Sequence, residues 1–84
     1  ENADVSYTLS KQSKVTIWIE KNGEVVKTIT TDANKAGGSH SFLWNGTDDD
    51  GKAVNDGTYS YVIQAVDSQG LTGNFRSYVF VDQR

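Results

Sequence analysis

The sequence predicts an all-β sandwich of six to seven antiparallel strands, and three features carry that prediction. Apolar and polar residues alternate with a period of two along most of the chain, while no stretch holds a 3.6-residue apolar period. The alternating runs are short and are separated by Gly-, Asn- and Asp-containing turns at the spacing of a sandwich or barrel. Asn22-Gly23 lies between two such runs, and a type I′ hairpin turn favours that dipeptide because both central residues need positive φ.

Taken in order, Val5, Tyr7 and Leu9 alternate with Ser6 and Thr8 in a first strand. Val15, Ile17 and Ile19 form one face of a second, with Trp18 on its polar side. Lys21-Asn22-Gly23-Glu24 reverses the chain, and Val25 to Thr30 is the returning strand. Thr31 to Gly38 is polar, ends in Gly37-Gly38, and reads as a flexible connection. His40, Phe42 and Trp44 share a face of the fourth strand, and an acidic loop follows it. Tyr59, Tyr61, Ile63 and Ala65 then share a face of a long fifth strand. Ser68-Gln69-Gly70 turns the chain into a last strand near residues 72–81, whose buried face the alternation leaves open. A seventh strand is expected at most as a short piece near Ala53-Val54.

Eighty-four residues make a single domain, 1–84, able to bury roughly 60–65% of its unfolded surface. Nine aromatic residues supply a core, but a chain of this size has little room for a substrate cleft. There is no cysteine, hence no disulfide, thiolate metal site or thiol nucleophile. The net charge of −3 argues against nucleic acid, which calls for a basic face. That charge is local. Residues 45–57 hold Asp48, Asp49, Asp50 and Asp56 against Lys52, and the rest of the chain balances seven acidic with seven basic residues. No apolar run approaches the roughly 18 residues of a membrane span. The chain opens at Glu1 and enters its first strand at once, so it reads as one domain of a longer, multidomain protein.

Residues across the chain form a recognisable skeleton: Val15-Thr16-Ile17, Asn22-Gly23 with Val26, Gly38-Ser39-His40-Ser41-Phe42, Trp44-Asn45-Gly46, Asp48 and Gly51. Gly57-Thr58-Tyr59, Tyr61, Ala65, Asp67 and Gly70 complete it. This pattern resembles the immunoglobulin-like domain of the flagellar hook-capping protein family, a module also found in secreted and surface-attached bacterial proteins. The resemblance covers roughly residues 5–80 and implies an Ig-like or fibronectin-III-like sandwich. It departs from the family at Asn45, where Asp is usual, and at Trp18, where a small or polar residue is usual. The chain is too short for the second small domain and N-terminal arm of a hook-capping protein. Physical roles follow for the skeleton residues. Trp44 plugs the end of the sandwich, Gly46, Gly51 and Gly57 allow tight loops, and Tyr59 returns the chain to the core. Ala65 lets the sheets approach, and Asp67 caps the turn that includes Gly70.

The candidate sites are few. Asp48, Asp50 and Asp56 offer hard oxygen ligands for calcium. Placing Gly51 at the sixth position of a calcium loop, however, puts Gly46 at the first, so a solvated turn is the better reading. His40 is the single histidine and has no nucleophile or second ligand beside it in the sequence. Lys14 and Lys27 flank strands but show no buried acid with which to form an isopeptide bond. Trp18 points away from the core, with Thr16 and Glu20 as face-mates, and the second strand is expected beside the fourth. Trp18 and Leu43 then form a candidate apolar contact patch. Val62 and Val66 with Tyr78 and Phe80 form a second one.

The expected function is non-catalytic: an accessory or structural module of an exported bacterial protein, at the cell surface or outside the cell, that spaces, stabilises or docks other domains. Neighbouring domains or other protein subunits are its expected partners, and no cofactor is expected. Two alternatives stand beside this, a domain of a hook-capping protein and a carbohydrate-binding module of a secreted hydrolase. A glycan or other small ligand is the least favoured partner.

Overall fold

The computed structural model describes residues 3–82 and contains six strands. They are β1 (Ala3–Leu9), β2 (Ser13–Lys21), β3 (Glu24–Lys35), β4 (Gly38–Trp44), β5 (Gly57–Asp67) and β6 (Thr72–Val81). β1 pairs with β4 in a two-stranded sheet, and the second sheet runs β3-β2-β5-β6, all antiparallel. The chain begins in the small sheet, crosses to form the β2–β3 hairpin, and returns as β4 beside β1. It then crosses again to lay β5 beside β2 and ends in the β5–β6 hairpin. Among the described residues there is no seventh strand: Ala53 makes only an isolated bridge with Thr47.

β2 is central because its alternation is complete. Val15, Ile17 and Ile19 are each at most 1% exposed, and hydrogen-bonded neighbours flank the strand on both sides. The hairpin leaving it has Asn22 at φ 53° and Gly23 at φ 84°, the paired positive angles that a type I′ turn requires. β3 is longer than its sequence suggests, since it continues through the segment expected to be a flexible connection as far as Lys35. Three register shifts against β2 explain this. At each one β3 carries one residue more than its partner, so Val26 and Ile29, three apart in sequence, both reach the core. At the third bulge Asp32 adopts φ 48°, and its amide donates to the Thr16 hydroxyl at 3.1 Å. Beyond that bulge Ala33 to Lys35 pair with Val15 to Ser13.

The core lies between the sheets in two connected halves. Ile19, Trp44, Tyr59 and Val81 fill one end, and Val15, Ile17 and Ile63 fill the other. Ile29, Phe42 and Tyr61 pack on both. Two ring pairs meet edge to face, Trp44 on Tyr59 at 5.4 Å and Phe42 on Tyr61 at 5.8 Å, the geometry that aromatic quadrupoles favour. Trp44 is 1% exposed, and its indole N–H donates to the Thr47 carbonyl at 2.8 Å. On the facing strand the Tyr59 hydroxyl donates to the Asn55 carbonyl at 2.7 Å. A tyrosine at the start of a strand that bonds back to the loop before it is a tyrosine corner, a device of Greek-key sandwiches.

These contacts set the scale for a test. Trp44→Ala is expected to cost about 3–5 kcal/mol, against a total stability of roughly 4–13 kcal/mol for a domain of this length. Trp44→Phe keeps a ring but leaves the Thr47 carbonyl without its donor, at a cost of about 1–3 kcal/mol. Urea unfolding followed by circular dichroism is expected to rank the midpoints wild type, Trp44→Phe, Trp44→Ala.

Candidate functional site

Residues 45–56 join the two sheets, and the side chains of Asp48 and Asp49 shape that crossing. Asp48 organises it: its Oδ1 accepts from the amides of Asp50 at 2.9 Å and Lys52 at 3.0 Å. Its own amide donates to the Lys52 carbonyl, and its carbonyl accepts from Gly51. Gly51 has φ 81°, a left-handed angle that any side chain would strain. Asn45 accepts from the Thr47 hydroxyl at 2.6 Å, and the Val54 amide donates to the buried Gly46. Among the described residues no three His, Cys, Asp or Glu side chains gather as a cation cage, so Asp48, Asp50 and Asp56 are not brought together.

Asp49 has a role that its sequence position did not announce. Its amide donates to the Val26 carbonyl at 3.2 Å, and its Oδ1 accepts from the Thr28 amide at 3.0 Å. Val26 and Thr28 are two apart on β3, the edge strand of the large sheet. Asp49 therefore stands in for a further strand over part of that edge and covers it. Only the nonlocal approach of residues 48–50 to β3 reveals this. A run of three aspartates does not say which one turns back.

The Trp18 and Leu43 patch does not form. β2 lies beside β3 and β5, whereas β4 pairs only with β1, so the two side chains sit on the outer faces of opposite sheets. Leu43 is exposed across from Asp4. Trp18 is half-buried in a cluster of its own. It lies across from Val62 of β5, which in turn lies across from Arg76 of β6. The Trp18 indole N–H and the Arg76 guanidinium each donate to Glu20, both at 2.6 Å. This lid leaves Val62 only 5% exposed although it faces away from the core. The Arg76 hydrogen bond, helped by the Trp18 indole, holds the Glu20 carboxyl below the usual carboxylate range. The second expected patch is narrower than its four residues. Tyr78 and Phe80 are exposed on the outer face, while Val62 is covered and Val66 lies between Lys14 and Thr72.

The remaining skeleton residues are structural in position. Ala65 packs beside Val15 and Ile63. Gly57 begins β5 close to the Lys21 ammonium, which sits 4.5 Å over the Tyr59 ring. Asp67 Oδ1 accepts from the amides of Gln69 at 2.9 Å and Leu71 at 3.0 Å, and the Gly70 amide donates to the Asp67 carbonyl. The Leu71 amide leads in depressing the Asp67 pKa, with Gln69 and the Lys11 ammonium adding to it. His40 stacks on Tyr7 at 5.6 Å, and its Nε2 bonds the Ala36 carbonyl.

Two measurements check this account. Glu20 and Asp67 both have folded-state pKa values below their unfolded ones. Their contribution to stability is complete above the ordinary carboxylate range and is lost as pH falls through the depressed values. Urea midpoints are expected to be flat from about pH 7 to 5 and to fall below about pH 4, with a shallower fall in Asp67→Asn. Asp49→Ala is expected to cost about 0.5–1.5 kcal/mol and to speed hydrogen exchange at the Thr28 amide, leaving the β2–β5 amides protected.

Comparison with known proteins agrees with this architecture. A family model described as the FlgD Ig-like domain matches residues 1–69. The crystal structure of FlgD from P. aeruginosa superposes with a TM-score of 0.77 at 28% identity, covering 95% of this chain and 62% of that one. FlgD from Xanthomonas campestris, whose structure is described in terms of hook capping essential for flagellar assembly, gives 0.73 at 29% identity, covering 94% and 57%. The chain thus spans less than two thirds of either protein. No curated protein matches. These matches overturn the expectation of an extracellular or cell-surface location in a secreted protein, because they point to the setting of flagellar assembly. They also favour the hook-capping alternative over a generic exported module. With its two-sheet sandwich, the family match over residues 1–69 and the superposition of 95% and 94% of its length on the two FlgD structures, the chain belongs to the FlgD Ig-like domain family.

Proposed function

We propose that this chain serves as the Ig-like module of a flagellar hook-capping protein, acting without catalysis as a rigid docking element in assembly. The superposition of 95% of the chain on FlgD carries the reading. The geometry of the domain supports it. The sandwich is elongated, with extents of 43 × 22 × 20 Å; Asp49 and Asp67 tie loops to strands, and Asp48 braces its own loop. The perturbed groups Glu20, Asp67 and Arg76 owe their shifts to hydrogen bonds within the framework. A sugar-stacking role for Trp18 is disfavoured, because its ring is half-buried and its N–H is bound to Glu20.

A chimaera tests the proposal. In cells lacking their own copy, P. aeruginosa FlgD carrying this chain in place of its Ig-like domain is expected to restore hooks and motility. Failure of a stably folded chimaera would overturn the reading. An unrelated sandwich of the same size, put in the same place, is expected not to rescue. Equal rescue by that control would reduce the role from docking to spacing.

A further inference from the structure

The sandwich is lopsided, with a two-stranded sheet set against a four-stranded one. On the β4 side, Phe42 and Trp44 share a cluster with Val26 and Ile29 of β3. On the β1 side, Tyr7 and Leu9 pack on Val15, Ile17 and Ile63. No strand among the described residues continues the small sheet over β6. Phe75 lies on the same face of β6 as the buried Val81, yet it is 56% exposed, although its ring meets Tyr61 at 6.2 Å. The inward side chains of β1, Val5, Tyr7 and Leu9, are likewise only half-buried. Two grooves follow each other along this seam. One of about 410 Å³ lies between residues 3–6 of β1 and 78–80 of β6. The next, about 350 Å³, lies between residues 6–8 and 73–75. Asp4 is the one charged residue that lines either.

We propose that the seam accepts an extended segment of a partner protein, which adds to β1 as a third strand of the small sheet and roofs the inner face of β6. The seam itself specifies that segment. β1 pairs on one side only, so the backbone groups of its other edge are offered to a strand. Antiparallel addition is the more stable pairing. Across from Tyr7, an inward side chain of the added strand enters the 350 Å³ groove, where Ala65 and Gly73 leave a notch. A Cβ placed on Gly73 would meet no atom within 4 Å, so the notch takes a large apolar side chain. Across from Val5 and Ala3, inward side chains meet Tyr61 and Val79, which calls for smaller apolar residues. Across from Asp4, the one charge on β1, the outer face favours Lys or Arg. In the direction of the added strand, the segment therefore has a large apolar residue, any residue, an apolar residue, a basic residue and an apolar residue. A second copy does not supply it, because no Lys or Arg of this chain stands between two apolar residues. The proposal concerns the seam alone and does not depend on the hook-capping reading.

The test is a nuclear magnetic resonance titration of the full chain with a capped synthetic peptide, Thr-Thr-Phe-Thr-Val-Lys-Val, matched in length to the seven residues of β1. Saturable binding is expected, with a dissociation constant between about 10 µM and about 1 mM. Shifts and slowed amide exchange are expected on β1 and β6, with β3 unchanged. Exchanging the peptide Phe for Ala is expected to weaken binding at least about tenfold. Gly73→Val fills the notch without meeting a neighbour and is expected to weaken it to a similar degree. Exchanging the peptide Lys for Glu is expected to weaken binding about fivefold. Asp4→Lys is expected to bring that Glu peptide back to within about twofold of the original pair. No saturable binding up to about 2 mM would overturn the proposal, as would shifts centred on β3 or an Ala peptide that binds as well as the Phe one. Slowed exchange on β1 without peptide, in this chain at high concentration or in a longer form of it, would also overturn it, since a second copy or a flanking segment would then hold the seam. The titration of the unmodified chain decides the matter even if a variant fails to fold.

Discussion

Closing the end of the sandwich is the constraint on which the rest of the structure depends. The chain has to pass from β4 in the small sheet to β5 in the large one over an apolar interior. Two aromatic side chains do this together. Trp44 and Tyr59 meet at 5.4 Å, and each uses its polar tip to hold a carbonyl of the connecting loop, Thr47 and Asn55 respectively. A buried indole N–H or phenol without a partner would cost about 1–3 kcal/mol, so the loop must present those carbonyls where the rings can reach them. The shape of residues 45–56 follows from that requirement. Asp48 draws in the Asp50 and Lys52 amides to make the loop compact, and the resulting tip brings Asp49 onto β3.

The concentration of charge in this loop then has a mechanical reading. Carboxylates accept strongly from backbone amides, and three of the acidic side chains in the domain act chiefly in that way: Asp48 within its loop, Asp49 on the β3 edge and Asp67 in the β5–β6 turn. Glu20 differs, since it bonds side chains and fastens Trp18 and Arg76 over Val62. Acidic residues are thus a means of stiffening a small domain that has no disulfide and only a thin core. The two edges of the large sheet are treated unequally, one bulged and covered, the other straight and open. Bulges and the Asp49 contact shield β3 as natural sheets shield their edges, while β6 keeps an unbroken register with β5.

Legibility in the sequence tracked how local each interaction is. The β2 face of Val15, Ile17 and Ile19, the Asn22-Gly23 turn and the inward set Phe42, Trp44, Tyr59 and Ile63 all follow from two-residue alternation and turn chemistry. β3 did not follow, because its bulges place Val26 and Ile29 on one face at a spacing of three. A pattern reader has no means of counting an extra residue that only the partner strand defines. The expected meeting of Trp18 with Leu43 failed for the same reason. Strand order in a sandwich is set by which distant hydrophobic faces pack, and here β2 chose β5 over β4. Asp49 was hidden between two aspartates that looked like better ligands, and the open face of β6 stayed ambiguous because apolar residues occupy both of its sides.

The sequence by itself determined the all-β class, the hairpin, the inward placing of Trp44 and of Tyr59 and the family of the domain, because these rest on residues close in the chain or on one strand face. Tertiary structure alone decided the pairing of the sheets, the covering of Trp18 and Val62, the docking of Asp49 on β3 and the exposure of Tyr78 and Phe80. Each of those depends on which strands become neighbours, and that choice belongs to the packing of the whole chain rather than to any segment of it.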